Sequence, residues 1–125
     1  MFVKLSTPRN VPDDKQKKIA PALDYIIKNY NTELSNELLA GLTGLSIVYF
    51  RKLLKEIKGE SPMAFARRIR IEKAKEMLKS DYGRISEVAF SLGYQNIFDF
   101  SRDFKKHVGV SPTEYAKKFN ILLTN

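Results

Sequence analysis

The chain has 125 residues, enough for one domain or for two very small ones sharing a connector. A 43% hydrophobic content excludes general disorder, and the absence of cysteine excludes disulfides and thiolate metal sites. The 22 Lys and Arg outnumber 14 Asp and Glu, leaving a net charge of +8 that points to a polyanionic partner.

In chain order, the pattern predicts seven helices and no strand. Residues 1–14 carry Pro and Asn and read as a flexible linker. Lys4 interrupts their one apolar stretch, so no signal peptide is expected. The first helix runs about 15–30, with Ile19, Leu23, Ile26, Ile27 and Tyr30 as its buried stripe. Pro21 suits a first helical turn, which would move the start nearer Ala20. Ser35 caps a short second helix over 36–42, with Leu38, Leu39 and Leu42 turned inward. Gly44 ends its turn, Ser46 caps a third helix over 47–57, and Gly59 stops it. Ser61 caps and Pro62 opens a connector over 62–79, with Phe65, Ile69, Ala74, Met77 and Leu78 on its apolar stripe.

Asp81-Tyr82-Gly83 reads as a loop. Ser86 caps a fifth helix over 87–92, closed by Gly93, and a sixth follows over 96–107, with Ile97, Phe100 and Phe104 inward. Ser111-Pro112 starts the seventh, 112–119, before a short tail over 120–125. The expected organisation is thus all-α: a first subdomain over 15–61, the connector 62–79, and a second subdomain over 80–119.

A repeat underlies this order. Phe50 matches Phe100, Lys52 matches Arg102, Leu54 matches Phe104, Gly59 matches Gly109, and Ser61-Pro62 matches Ser111-Pro112, all at an offset of 50. Upstream, Leu39-Ala40 pairs with Val88-Ala89 and Gly44-Leu45 with Gly93-Tyr94 at an offset of 49, so one extra residue follows the second turn. One supersecondary unit is therefore used twice. Each copy is a helix, a tight turn and a second helix, the geometry that places a helix in a DNA major groove.

These residues carry a family resemblance. Ile85-Ser86-Glu87-Val88-Ala89, Leu92-Gly93-Tyr94, Phe100 to Lys106 and Gly109 to Tyr115 resemble the AraC/XylS-type DNA-binding domain of bacterial transcription regulators. The connector adds Arg70 to Ala74 and Met77-Leu78, and the likeness covers about residues 19–119. Phe50-Arg51-Lys52-Leu53 is also similar to domains that end hybrid two-component sensors. The resemblance implies two recognition helices entering successive major grooves, about 34 Å apart. An 18-residue connector of about 27 Å suits that spacing.

It further implies base-reading positions at Val48, Arg51 and Lys52 in the first copy, and at Asn96, Ile97, Phe98, Asp99, Ser101 and Arg102 in the second. Arginine pairs with guanine O6 and N7, although the resemblance also allows Arg102 to hold a phosphate instead, and an apolar Val48 either touches a thymine methyl or contacts nothing. Asp99 either accepts from cytosine N4 or belongs to the first turn of its helix, where a carboxylate is favoured. Phosphate contacts are expected from the helix starts at Ser35 and Ser86, supplemented by Lys55, Arg67, Arg68, Lys105, Lys106 and His107. Residues 51–79 hold ten Lys and Arg against four Asp and Glu, with Glu72 and Glu76 expected to pair locally with lysines. Phe50, Leu53, Leu54, Phe100 and Phe104 read as core.

His107, the sole histidine, lacks partners at ligand spacing, so no metal is expected, and no cofactor. No nucleophile–base pair or phosphate-binding glycine loop supports an enzyme. The expected partners are double-stranded DNA, RNA polymerase and a sensory domain in a longer chain, in the cytoplasm and without a membrane. The alternative is a basic helical module for protein or membrane contact, which requires an exposed apolar stripe.

Overall fold

The computed structural model describes residues 12–80 and 84–124, with 120–124 described by backbone only. Most of the linker reading over 1–14 and the Asp81-Tyr82-Gly83 loop lie outside these residues, as does Asn125. Among the described residues there are seven helices and no strand: α1 Asp13–Lys28, α2 Asn36–Thr43, α3 Ile47–Lys58, α4 Pro62–Lys79, α5 Ile85–Ser91, α6 Ile97–Val108 and α7 Pro112–Thr124. No helix among them is long and apolar enough to cross a membrane.

The expected starts hold where a side-chain acceptor meets a helical stripe. Ser35 accepts from Leu38 N–H, Ser46 from Tyr49 N–H and Ser61 from Ala64 N–H, at 3.1, 3.1 and 3.2 Å. Each cap is worth about 1 kcal/mol, because it satisfies an amide the helix cannot pair internally. Ser111 forms a full capping box: its hydroxyl accepts from Glu114 N–H, and the Glu114 carboxylate accepts from Ser111 N–H, both at 3.1 Å.

Several expectations fail here. α1 begins at Asp13, and Pro21 lies inside it. Proline there removes the bond to the Lys17 carbonyl, a defect of about 3 kcal/mol. The helix tolerates it because it buries Ile19, Ala22 and Ile26 while Pro21 stays exposed; Ile27, expected inside, is 50% exposed. Second, Leu38 and Leu42 do not turn inward with Leu39, and both are exposed. α2 has only eight residues, so Leu39 and Ala40 suffice to seat it. Third, α5 starts at Ile85 rather than 87, with Arg84 and not Ser86 at the cap position. Glu87 sets that boundary by accepting from Arg84 N–H at 3.1 Å. At the far end α7 runs on to Thr124, five residues beyond the expected stop.

The chain divides into two compact units. The first holds α1, α2, α3 and the opening turn of α4 up to Ala66. Its α1, α2 and α3 pack on one another, and Ile19, Ile26, Leu39, Phe50, Leu53 and Leu54 are fully enclosed. The second holds Arg67 onward together with the segment Tyr30–Glu33. Its core is Ile71, Ala74, Leu78, Val88, Ala89, Leu92, Phe100, Phe104 and Ala116. A run of rings crosses it, from Tyr94 to Phe100 to Phe104 to Tyr115, with centroids 5.3, 5.8 and 5.4 Å apart.

The repeat appears as matched turns. Gly44 has φ +75° with open space where a Cβ would sit. Gly93 has φ +95°, and a Cβ there would lie 2.6 Å from the Asn31 carbonyl oxygen. The extra residue of the second copy falls before its cap: Leu45 alone separates Gly44 from Ser46, whereas Tyr94 and Gln95 separate Gly93 from Asn96.

Candidate nucleic-acid interface

α3 and α6 each bury one stripe and expose the other. On α3 the buried residues are Phe50, Leu53 and Leu54; Val48, Arg51, Lys52 and Lys55 are exposed. None of the ion pairs among the described residues involves Arg51, Lys52 or Lys55. Val48 is 78% exposed, in the first turn of the helix. Tyr49 beside it is also on the exposed side.

On α6 the buried residues are Phe100 and Phe104; Phe98, Asp99, Arg102, Lys105, Lys106 and His107 are exposed. Ile97 and Ser101 are half-buried. The polar groups are linked. Asn96 is the cap: its carbonyl accepts from Asp99 N–H at 2.8 Å, and its amide donates to Asp99 Oδ2 at 3.2 Å. Asp99 Oδ1 accepts from Arg102 Nη1 at 3.1 Å. Both Asp99 oxygens are thus engaged within the helix, which places this carboxylate as a first-turn residue that also holds an arginine. His107 Nδ1 donates to the Asp103 carbonyl at 2.8 Å, in the last turn.

Of the expected phosphate contacts, Ser35 caps α2 as foreseen. Ser86 is the second residue of α5, half-buried, and is no cap. Arg84 stands at the cap position instead and brings an exposed cation to that helix start. Counting three residues back from Glu87 gives this boundary from sequence. Arg68 is exposed on α4, while Arg67 is half-buried, with its Nε 3.8 Å from Asp103 Oδ2. Glu72 pairs with Lys75 and Glu76 with Lys73, as expected.

Behind α6 lies a network that the sequence reading did not find. Tyr94 OH donates to Asp103 Oδ2 at 3.1 Å. Arg70 Nε donates to the Tyr30 carbonyl at 2.7 Å, and its guanidinium stands 5.9 Å from the Tyr94 ring centre. Burial pushes the Tyr94 hydroxyl well above its ordinary pKa, and the Asp103 charge and hydrogen bond push the same way. Asp103 and Arg67 lie 36 positions apart and Arg70 and Tyr30 lie 40 apart, so no local pattern signals them.

Comparison with known proteins fits this geometry. The helix-turn-helix domain family matches residues 39–118. The raffinose operon transcriptional regulatory protein RafR of Pediococcus pentosaceus is 32% identical over 100 residues, covering 80% of this chain and 36% of that protein. The C-terminal domain of AraT, a response regulator from Geobacillus stearothermophilus, is 35% identical, with a TM-score of 0.76 and coverage of 81% of this chain and 84% of that one. The fold is also that of the DNA-binding domain of AdpA, solved in complex with a target DNA: TM-score 0.78, 19% identity, 83% and 94% coverage. This chain belongs to the AraC-type helix-turn-helix family of transcription-regulator DNA-binding domains. It spans little more than a third of the length of the curated relatives it matches.

Proposed function

We propose that the chain is the DNA-reading part of a longer cytoplasmic regulator and binds double-stranded DNA by presenting α3 and α6 to successive major grooves. One observation carries this: the repeat-related helices expose equivalent basic faces while their opposite faces are sealed into separate cores. Arg51 and Lys52 read bases from α3, with Val48 beside them. Arg102 reads from α6, oriented by Asp99, with Phe98 alongside. Asn96 fixes the start of that helix, while Ile97 and Ser101 support it from their half-buried positions. Lys55, Lys105, Lys106, Arg68, Arg84 and His107 hold phosphates, and the α2 start capped by Ser35 offers backbone amides. Ser86 acts only through the amides of the α5 start, and Arg67, tied to Asp103, steadies α6.

The rest of the regulator supplies a sensory domain, and RNA polymerase is the machinery it acts on. Catalysis has no part in this reading. The exposed Leu38 and Leu42 on α2 favour a second, protein-contacting role for that helix, compatible with DNA binding.

The test is selection of duplexes from a random DNA pool, followed by binding measured across a salt series. Enrichment of a defined sequence, with affinity falling steeply as salt rises, is expected, because each neutralised phosphate releases counterions. Binding that ignores salt, or equal capture by anionic vesicles, would overturn the reading in favour of a membrane or protein module.

A further inference from the structure

Val48 and Phe98 are the most exposed large hydrophobic side chains among the described residues, at 78% and 74%. They occupy equivalent positions. Each is the second residue of its helix, α3 or α6, and each lies four residues before the matched cation, Lys52 or Arg102. Single exposed apolar residues are ordinary on protein surfaces. Two at the same repeat position, on the two helices assigned to DNA, are a pattern.

Resting on the function proposed above, we infer that Val48 and Phe98 are specificity-determining residues, each reading a thymine methyl in its own half-site. Three facts lead there. Residues near the start of a recognition helix face base edges, and a helical Cβ tilts toward that start. The neighbouring side chains are charged: Arg51 and Lys52 flank Val48, and Asp99 and Arg102 flank Phe98, so a purely apolar partner does not fit. Finally, among major-groove edges only thymine offers an apolar group, its C5 methyl; every other base presents donors and acceptors alone. An apolar contact set among charged side chains therefore matches an A·T pair within a phosphate-lined groove. The bound sequence carries a thymine at the equivalent place in both half-sites, and the larger Phe98 covers more of its pair.

Deoxyuracil tests this, because it removes the methyl and leaves base pairing intact. In a duplex selected from a random pool, replacing the thymine of either half-site by deoxyuracil is expected to weaken binding about fourfold, the worth of one buried methyl. Val48→Ala is expected to abolish the penalty in one half-site only, and Phe98→Ala in the other; both positions are exposed, so folding is unaffected. If every thymine of the selected duplex can be replaced without loss, methyl reading is overturned while DNA reading stands. If Phe98→Ala weakens thymine and deoxyuracil duplexes equally, Phe98 acts as a wedge between base pairs and the inference fails. If no sequence is enriched at all, the function proposed above falls with it.

Discussion

Where the first unit encloses Leu53, the second has Asp103 at the matching position, and where the first has Leu45 at the turn, the second has Tyr94. At these two positions the frame is closed by aliphatic side chains in one copy and by a tyrosine–carboxylate–arginine network in the other. The exchange alters the charge on the surface. In the second unit Asp103 lies against Arg67 and Asp99 holds Arg102, so carboxylates engage two of its arginines. In the first, Arg51, Lys52 and Lys55 enter none of the ion pairs among the described residues. The polar network spans long sequence separations and sets the position of α6, whereas α3 keeps its cations available. On the function proposed above, this assigns more of the affinity to the first copy and more of the register to the second.

Substitutions at matched positions probe that division. The largest expected effect is at the turns. Gly93→Ala must accommodate a Cβ 2.6 Å from the Asn31 carbonyl oxygen in addition to a left-handed backbone, and is expected to lose about 3 kcal/mol or more. Gly44→Ala has open space and bears only the backbone cost, about 1 kcal/mol. Chemical denaturation of the two variants measures this; equal losses would mean that the turns are interchangeable.

The arginines come next. Arg51→Ala is expected to weaken binding to a selected duplex by about 2 kcal/mol, and Arg102→Ala by about 1 kcal/mol, since Asp99 already occupies part of that guanidinium. Fluorescence anisotropy at fixed salt gives both values, and a larger loss at Arg102 would reverse the assignment of affinity to the first unit. Tyr94→Phe is expected to lose about 1 kcal/mol at neutral pH by removing the hydroxyl bonded to Asp103. The Tyr94 pKa is raised in the folded state, so its contribution is complete below the ordinary tyrosine pKa and is lost as pH climbs above it. The Phe variant should therefore unfold less steeply in alkali, as circular dichroism across pH would show.

The smallest effect is at the α7 start. Backbone hydrogen bonding from Ser111 lowers the Glu114 pKa, so the stability it adds is present above the ordinary carboxylate range and lost as pH falls through its folded value. Ser61 has Ala64 where Ser111 has Glu114, so the first unit lacks this dependence. The protection of α7 amides against exchange, taken relative to the intrinsic rate at each pH, should fall in acid in the wild type. Glu114→Gln should remove that acid dependence, and no change at α4 is expected in either protein.

Legibility in the sequence followed locality. The repeat revealed the helices, because caps such as Ser46 and Ser61 and stripes such as Phe50–Leu54 are read over a few residues. Pro21 misled because a local rule treats it as a start, while the burial of Ile19 and Ala22 by other helices outweighs the missing hydrogen bond. Ser86 misled because serine is the commoner cap, although the spacing to Glu87 pointed to Arg84. The exposed face of α3 was legible, since periodicity opposite a clear core leaves little choice. What the second unit does with Arg67 and Arg70 was not, because their partners Asp103 and Tyr30 arrive from distant parts of the chain.

The segment Tyr30–Glu33 limits how this pair of motifs can be taken apart. It is encoded between α1 and α2, yet it belongs to the second unit, giving its carbonyl to Arg70 and its backbone to the wall beside Gly93. The second unit is therefore discontinuous in the gene. A fragment cut at α4 would encode α5, α6 and α7 without the strip of chain that closes their turn. Recombination at the connector would transfer the second copy without that strip, and so an incomplete fold.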